Sequence, residues 1–174
     1  INDIAGFHTK TFTKHDDYMT PKSAWEAIEE YLPKEKIIWE AFYGDGSSGK
    51  HLQELGCNVI HEDVDFFESD LGEAIVTNPP YTKSKEVMDR LLELDKPFIL
   101  IFPCSKISTN YFRKWKNKNI QIIIPRRRIQ FKKIVNGKEV ESNRCNFDCF
   151  YYCYTMGLVF LLYYNSFLQV RNIL

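Results

Sequence analysis

The chain has 174 residues, of which 44% are hydrophobic and 26% are charged, as expected for one folded domain with one core. Its formal net charge is zero, but residues 1–80 carry six Lys and Arg against 16 Asp and Glu, whereas residues 81–174 carry 17 against seven. No apolar run reaches the roughly 18–20 residues that a membrane-spanning helix needs, which argues against a membrane partner. The basic half either balances the acidic half or presents a basic face to a polyanion, and the clustering of its charges favours the second interpretation.

The five cysteines indicate a reducing compartment, because their number is odd and no secretory signal is evident. We therefore expect a cytoplasmic rather than a secreted protein. Cys145, Cys149 and Cys153 share a spacing of four, which would place them on one face of a strand. No set of histidines accompanies them, so buried thiols are predicted and no metal site is expected.

Strand-like and helix-like patterns alternate after a polar opening segment. Residues 1–17 lack periodicity, which predicts a mobile arm. Thr20 as N-cap and Pro21 at the first helical position predict a helix that ends at Pro33. Further strands are predicted over residues 37–42, 58–61, 74–77, 97–102, 120–124 and 147–154. Further helices are predicted through Leu52 and Leu55 to Gly56, over 84–95 and over 108–117, with a hairpin turn at Asn136-Gly137.

This alternation predicts an α/β fold with a mostly parallel central sheet and helices on both faces. No linker divides residues 18–174, so a single domain is expected there. The stretch Gly157 to Tyr164 is apolar and interrupted by Asn165, which predicts a terminal core strand or helix rather than an anchor.

A glycine-containing loop follows the strand at residues 37–42. The segment Glu40-Ala41-Phe42-Tyr43-Gly44-Asp45-Gly46 leads into a helix, and its glycines allow a tight turn and close approach to a ligand. It has neither the G-x-G-x-x-G spacing of dinucleotide enzymes nor a P-loop. Its acidic residues disfavour a phosphate and are compatible with a zwitterionic sulfonium ligand. A plain glycine-rich turn is the alternative.

Acidic and aromatic residues follow the next predicted strand. Glu62 and Asp63 end that strand, where a carboxylate can accept hydrogen bonds from both hydroxyls of a ribose. Asp65 and Phe66 come next, and an acid beside an aromatic ring can bind the amino group and the face of an adenine. The alternatives are solvated surface charge for the acids and a core position for Phe66.

The tetrapeptide Asn78-Pro79-Pro80-Tyr81 directly follows the short apolar strand at residues 74–77. Two prolines fix the backbone and remove two N–H donors, which leaves the Asn78 side-chain oxygen and the Pro79 carbonyl as rigid acceptors. An aromatic amine is a poor nucleophile because its lone pair is delocalised into the ring. Acceptors that bind both of its N–H bonds favour a tetrahedral nitrogen whose lone pair can point at a methyl sulfonium, while Tyr81 stacks on the base. The alternative is a rigid loop without chemistry.

With these motifs the chain resembles the amino-group methyltransferases, and specifically the adenine-N6 DNA methyltransferases of the small phage and large-virus type. The resemblance covers roughly residues 16–156. It implies a Rossmann-like class I methyltransferase fold, S-adenosyl-L-methionine as cofactor, methylation of the N6 amino group of adenine in DNA, and a location in viral or host cytoplasm or nucleoid.

The resemblance also implies roles for individual residues. Tyr18-Met19-Thr20-Pro21 matches the segment that packs on the methionine end of the cofactor, and Glu62, Asp63, Asp65 and Phe66 match the ribose and adenine contacts. Asn78 to Tyr81 matches the catalytic motif, of which Asn78 also touches the cofactor. Residues 128–131 and the strand at 147–154 resemble a target-base loop and a closing strand. The cofactor-loop residues implied in this way are Glu40, Phe42, Gly44, Asp45 and Gly46.

The chain departs from the family pattern in two places, and at both it is shorter. The interval between the strand at residues 58–61 and Asn78 is short, so one βα unit is reduced. No insertion of roughly 80 residues or more is present to form a separate target-recognition domain. Sequence specificity is therefore expected to be low, short, or supplied by a partner, which leaves a homodimer or an accessory specificity subunit open.

Two basic clusters follow the tetrapeptide, and both are predicted to contact phosphates of a nucleic acid, with DNA favoured and RNA open. The first consists of Arg113, Lys114, Lys116 and Lys118. The second consists of Arg126, Arg127, Arg128, Lys132 and Lys133, with Phe131 between the charges. The alternative is a solvated face that balances the acidic half.

Three other functions remain open at this point. The first is methylation of adenine in RNA, and the second is methylation of a protein glutamine, which the basic clusters disfavour. The third is an inactive nucleic-acid-binding subunit of a methyltransferase complex, which the intact tetrapeptide and cofactor loop argue against.

Overall fold

The computed structural model describes residues 18–115, 118, 120–135, 138–141, 147–156 and 169–171. The predicted arm at residues 1–17, Cys145, Lys116 and the stretch from Gly157 to Asn165 lie outside the described residues.

Ten strands and three α-helices are described. The strands are β1 (Tyr18–Met19), β2 (Ile37–Trp39), β3 (Asn58–Ile60), β4 (Ala74–Thr77), β5 (Phe98–Pro103), β6 (Ile120–Ile123), β7 (Lys132–Val135), β8 (Lys138–Glu141), β9 (Cys149–Tyr154) and β10 (Gln169–Arg171). The helices are α1 (Lys22–Glu26), α2 (Ser47–Glu54) and α3 (Ser84–Leu94). Short 3-10 turns cover Glu29–Tyr31, Tyr81–Lys83, Cys104–Ser108 and Phe112–Trp115.

The central sheet has seven strands in the order β10-β6-β9-β5-β4-β2-β3. Strands β3, β2, β4 and β5 pair in parallel, while β9 is antiparallel to both of its neighbours, β5 and β6. Because β5 and β6 are both antiparallel to β9, they point the same way, so five of the seven strands share one direction. A separate three-stranded sheet joins β1, β7 and β8.

Two apolar layers cover the two faces of the central sheet. Ile38, Val76 and Ile99 face a layer that includes Trp25 of α1 and Leu52 of α2. Ile75 and Leu100 face the other layer, which includes Val87, Met88 and Leu91 of α3. The alternation of faces along each strand follows from the period of two in an extended chain. The predicted Rossmann-like α/β fold, with a mostly parallel sheet covered on both sides, is confirmed.

Most predicted elements are confirmed within a residue or two. Strand β4 has the predicted bounds, and α3 differs from its prediction by one residue at its end. The predicted turn at Asn136-Gly137 lies outside the described residues, and the flanking strands β7 and β8 pair with Val135 opposite Lys138. Residues 61–73 join β3 to β4 without a helix, so the predicted reduction of one βα unit is confirmed.

Three predicted elements are wrong in detail. Helix α1 has Pro21 rather than Thr20 as its N-cap, because Pro21 is still extended and Thr20 is buried beside β1. It also ends at Glu26 rather than at Pro33, and a 3-10 turn at Glu29–Tyr31 follows it. The strand predicted over 37–42 ends at Trp39, where the chain leaves the sheet toward the glycine loop. The helix predicted over 108–117 is a short 3-10 turn at Phe112–Trp115, anchored by the burial of both end residues. Within the described ranges, no helix is long and apolar enough to cross a membrane.

Candidate functional site

A cleft lies outside the carboxyl ends of β2 and β4. In a parallel sheet, loops that leave neighbouring strands meet at this edge, and ligands bind there most often. The cleft is lined by residues of three segments: Tyr18, Met19 and Thr20; Glu40, Phe42, Tyr43, Gly44, Asp45, Ser47 and Ser48; and Asn78, Pro79, Pro80 and Tyr81. The structure therefore brings the predicted catalytic tetrapeptide, most of the predicted cofactor loop and the segment at residue 18 into one cleft.

The tetrapeptide turns directly out of β4. Pro79 and Pro80 are buried, and Asn78 is half-buried with its side chain at the cleft. The hydroxyl of Tyr81 donates to the Asn78 Oδ1 atom at 2.7 Å, so Tyr81 covers the predicted acceptor in this state. The Pro80 carbonyl accepts from the Lys83 N–H at 3.2 Å, whereas the described residues direct no donor at the Pro79 carbonyl.

Glu40 joins the exits of three strands behind the cleft. It is 1% exposed, and its Oε1 accepts from the Thr77 hydroxyl at 2.6 Å. Its Oε2 lies 2.8 Å from the His61 Nε2. Burial raises the pKa of Glu40 above its ordinary value, and the contacts with His61 and Thr77 counteract that shift only in part. Glu40 thus fixes the end of β2 to the residue that precedes Asn78.

The His61 side chain packs tightly against its neighbours, which the sequence did not indicate. Its ring stacks on Tyr43 with centroids 4.6 Å apart, and it packs so closely on α2 that a Cβ at Gly49 would overlap it. The only sequence signal for this contact is an isolated glycine within a helical pattern, which often marks close packing. Tyr43, Gly49 and His61 were not predicted as site residues.

The loop from Gly44 to Gly46 has the backbone that its glycines predict. Gly44 and Gly46 have φ values of 60° and 81°, which other residues adopt only with strain. A side chain at Gly44 would also meet the Met19 Sδ at 3.1 Å, so Met19 closes over the loop. The Asp45 carboxylate accepts from the Ser47 N–H at 2.9 Å and from its hydroxyl at 2.6 Å, so it holds the start of α2.

The four residues predicted to contact the adenosine part of a cofactor lie beside the cleft rather than among its lining residues. Glu62 and Asp63 are exposed directly after β3. Asp65 accepts from the Phe67 N–H at 2.8 Å, which holds a turn. Phe66 is 1% exposed and packs against Phe42 with ring centroids 4.9 Å apart, a core position.

An aromatic cluster closes the cleft on the side of β9. Tyr18 packs edge-on against Phe147 with centroids 5.4 Å apart, and Phe147 packs in the same way against Tyr81 at 5.3 Å. Phe131, predicted with the second basic cluster to contact a nucleic acid, is instead buried and contacts both Tyr18 and Phe147. Pairing of β1 with β7 brings Tyr18 to this place, and no local sequence pattern indicated that pairing.

The two basic clusters occupy different parts of the molecule. Arg126, Arg127 and Arg128 are exposed after the carboxyl end of β6, and Lys132 and Lys133 continue into β7 beside Tyr18. In the first cluster, Lys114 pairs with Asp89 at 2.5 Å and Lys118 pairs with Asp95 at 3.1 Å. Lys118 also lies against Tyr154, which faces Phe98 at the opposite edge of the sheet. Arg113 is exposed in the turn at Phe112–Trp115.

Among the described residues, no three His, Cys, Asp or Glu side chains are placed to hold a metal ion. Cys149 and Cys153 are buried in β9, and neither forms a disulfide with another described cysteine.

Comparison with known proteins does not identify a family for the chain. No protein-family model matches the chain, and no curated protein matches its sequence. Among solved structures, the chain is similar to the tRNA (m1A58) methyltransferase TrmI from Aquifex aeolicus, with 16% identity, coverage of 83% of this chain and 72% of that chain, and a TM-score of 0.40. A similarity of this degree says nothing about which residues bind or react, so the site has to be judged on its own geometry.

Proposed function

We propose that this protein is an S-adenosyl-L-methionine-dependent methyltransferase that methylates the N6 amino group of adenine in DNA. The observation that carries the proposal is the position of Asn78-Pro79-Pro80-Tyr81, at the exit of β4 in one cleft with the Gly44–Gly46 loop. A methyl acceptor and a methyl donor have to meet in line, and these two segments are placed to hold one each.

Asn78 and Pro79 are suited to orient an aromatic amine. The Asn78 Oδ1 and the Pro79 carbonyl are acceptors on a backbone that two buried prolines hold rigid. Bound to the two N–H bonds, they would turn the nitrogen lone pair toward the donor and stabilise the positive charge that develops on the nitrogen. The Tyr81 ring would pack on the base, once its hydroxyl has left Asn78.

The residues of the cleft fit a sulfonium nucleoside. Gly44 and Gly46 hold a backbone turn that admits close approach, and Met19 closes over it. The Asp45 carboxylate disfavours a phosphate at this place and tolerates a cationic centre, and Glu40 adds a polar side chain behind it. S-Adenosyl-L-methionine would supply the activated methyl group there, with Tyr18, Met19, Thr20 and Pro21 on one side and Phe42 on the other. Glu62, Asp63, Asp65 and Phe66 are proposed contacts of its adenosine part.

Nucleic acid is the proposed substrate because basic residues follow the cleft. Arg126, Arg127, Arg128, Lys132 and Lys133 lie after β6 and in β7, next to Tyr18. We further assign Arg113, Lys114 and Lys116 to contacts with more distant phosphates, although Lys116 lies outside the described residues. Removing the target adenine from a duplex costs a few kcal/mol, and cations near the cleft would stabilise the distorted strand. DNA rather than RNA follows from the family resemblance of the sequence.

The test is a transfer assay with the full chain, labelled cofactor and three substrates in competition: unmethylated DNA, RNA and a glutamine peptide. We expect label in N6-methyladenine of DNA. Label in RNA or in the peptide would instead support one of the alternative substrates. Absence of label in all three, with cofactor binding intact by calorimetry, would falsify the proposed activity and favour an inactive binding subunit.

The matched variant for this assay is Asn78→Ala. It removes one acceptor for the amine and leaves the prolines in place, so transfer should fall by at least about 100-fold, as for the loss of one oriented transition-state contact. Melting temperature and cofactor affinity should stay near those of the wild type, because Asn78 is half-buried at the strand exit. Transfer within a few-fold of the wild type would exclude Asn78 as the acceptor.

A further inference from the structure

A second concavity lies between α1 and the segment that follows β6. Its volume is about 610 Å³, within the range of roughly 300–1,000 Å³ that ligand sites occupy. Ser23, Ala24 and Ala27 form one wall, and Tyr151 forms the floor, where its hydroxyl donates to the Ala24 carbonyl at 2.6 Å. Residues 125–130 form the other wall, with three consecutive arginines. We call this concavity the arginine groove.

Arg126 and Arg127 are exposed to solvent, and the residues that follow them are held in place by packing and by an ion pair. Arg128 binds Asp148 through two nitrogens, at 2.5 and 3.0 Å, and Ile129 and Phe131 are buried. Arg126 and Arg127 are exposed, and no carboxylate among the described residues pairs with either. Their guanidinium groups therefore extend from an anchored base and keep their charge available for an external anion.

The first basic cluster differs in this respect. Lys114 lies 2.5 Å from Asp89, and Lys118 lies 3.1 Å from Asp95. The hydrogen bond from Lys114 is the main cause that holds the pKa of Asp89 below its ordinary value, with Lys85 second. These lysines are thus partly neutralised by the protein's own carboxylates, and Lys118 lies at the opposite edge of the sheet from the cleft.

The arginine groove is a direct neighbour of the cleft. Thr20 lines the cleft and Ser23 lines the groove, so at 3.8 Å per residue their Cα atoms are at most about 11 Å apart. At the cleft, the Lys133 ammonium lies 5.5 Å from the ring centroid of Tyr18, which lines the cleft. Cations therefore lie both at the cleft and in the neighbouring groove.

We propose that the arginine groove binds the backbone of the nucleic-acid substrate, with Arg126 and Arg127 contacting phosphates within about three nucleotides of the target base. This assignment rests on the proposed function of the cleft. Lining residues of the two sites are at most about 11 Å apart, and successive nucleotides of one strand rise by about 3.4 Å along the duplex axis, so phosphates close to the target base are the nearest ones to the groove. Guanidinium groups bind phosphate oxygens in pairs, and such contacts fix the register of the strand without reading its sequence.

The experiment measures how DNA affinity depends on salt. The full chain is titrated with a random-sequence 30-base-pair duplex at several salt concentrations, for the wild type and for Arg126→Ala/Arg127→Ala. Each lost phosphate contact lowers the slope of log K against log salt by about 0.9, so the double variant should lose about 1 to 2 from the slope. Arg126→Lys/Arg127→Lys should keep the wild-type slope, because its charges remain.

Two control double variants distinguish a contact at Arg126 and Arg127 from a general effect of the protein's net charge on DNA binding. Lys34→Ala/Lys36→Ala removes two cations that precede β2, at the opposite edge of the sheet, and should leave the slope unchanged. Arg113→Ala/Lys114→Ala removes two cations of the first cluster and should change the slope by less than the groove variant. Equal slopes for all pairs, or an unchanged slope in the groove variant, would overturn the proposal.

Neutral methylphosphonate links at single positions locate the contacts. A neutral link within about three nucleotides of the target adenine should weaken binding of the wild type and leave the groove variant unaffected. Loss of wild-type affinity only at more distant links would contradict the assignment. If an acidic peptide binds as tightly as DNA and depends on the same two arginines, the groove recognises protein rather than nucleic acid.

Failure of the groove and failure of the proposed activity give different results. Methyl transfer by the wild type to a short adenine dinucleotide reports the proposed activity, whereas the salt slopes report the groove. If the wild type transfers no methyl group but the salt slope of Arg126→Ala/Arg127→Ala falls as expected, the groove binds nucleic acid and the proposed methyltransferase activity is wrong.

Discussion

At the scale of single residues, the most informative contact joins Tyr81 to Asn78. The hydroxyl of Tyr81 donates to the Asn78 Oδ1 at 2.7 Å and also lies 3.4 Å from the Cys149 Sγ. An amine substrate would need the same oxygen, so Tyr81 has to exchange this hydrogen bond for a ring contact with the base. The residue thus both protects the acceptor and competes for it.

This competition predicts an unusual effect of Tyr81→Phe. The phenyl ring remains, but the acceptor on Asn78 is uncovered, so the KM for DNA should fall. A net hydrogen bond of about 0.5–1.5 kcal/mol corresponds to a decrease of about 2- to 12-fold. Steady-state kinetics on the wild type and the variant measure it. Tyr81→Ala removes the ring as well and should raise KM, whereas a higher KM for Tyr81→Phe would show that the hydroxyl assists binding.

At the scale of elements, buried Glu40 connects the ends of β2, β3 and β4. Its two oxygens contact Thr77 and His61, and His61 in turn packs on Tyr43 and on α2 at Gly49. The Gly44–Gly46 loop and the tetrapeptide therefore share one rigid support. A change at any of these contacts is expected to move both segments together.

The contribution of Glu40 to the free energy of unfolding should depend on pH. Burial raises the pKa of Glu40 above its ordinary 4.5, so over the window above 4.5 the native state binds a proton that the unfolded chain has lost. The stability from this group is complete below pH 4.5 and declines as the pH rises through the raised pKa. The free energy of unfolding of the wild type, minus that of Glu40→Gln, should therefore decrease from pH 4.5 toward 7.

Urea denaturation at successive pH values measures this difference. Glu35→Gln, which removes a carboxylate at an exposed position, controls for the loss of one negative charge. A difference that stays constant or increases with pH would mean that His61 keeps Glu40 ionised in the native state.

Most elements of the central sheet were predictable because their signals are local. The run Ala74 to Thr77 is a strand bounded by the helix-disfavouring prolines at 79 and 80, and α3 follows from apolar residues at helical spacing. The antiparallel insertion of β9 between β5 and β6 and the pairing of β1 with β7 depend on contacts distant in sequence. No local pattern reports such pairings, so Phe147 and His61 were missed at the site.

At the scale of the whole molecule, binding of the proposed cofactor should stabilise the fold. At a concentration 100 times the Kd the gain is about 2.7 kcal/mol, which for a chain of this length raises the melting temperature by about 5–11 °C. Thermal unfolding with and without S-adenosyl-L-methionine measures the shift. NAD should give none, because the loop lacks the dinucleotide spacing.

Two glycines provide a matched pair for this measurement. Gly44→Ala and Gly56→Ala both place a side chain at positive φ, of 60° and 86°, so both should lower the melting temperature of the free protein. Only Gly44 lies in the cleft, where the added carbon would approach the Met19 Sδ, whereas nothing lies within 4 Å of it at Gly56. S-Adenosyl-L-methionine should no longer raise the melting temperature of Gly44→Ala, whereas it should still raise that of Gly56→Ala. Equal shifts would place the cofactor elsewhere.

Only the folded structure shows which cations of the basic half are paired with carboxylates of the protein. The sequence shows two basic clusters of similar composition. In the structure Lys114 and Lys118 lie against Asp89 and Asp95, while Arg126 and Arg127 are exposed next to the cleft. Composition alone cannot distinguish cations that are already paired from cations that remain for a ligand.

The sequence by itself determined the α/β alternation and the tetrapeptide at the exit of β4, because periodicity, proline and glycine act on neighbouring residues. It also determined the glycine turn at Gly44 and Gly46, whose φ values are positive. Only the tertiary structure decided that Glu40, Thr77 and His61 meet behind the cleft, and that Tyr81 covers Asn78. The contacts of Glu40 with Thr77 and His61 exist because parallel strands far apart in the chain end at the same edge of one sheet.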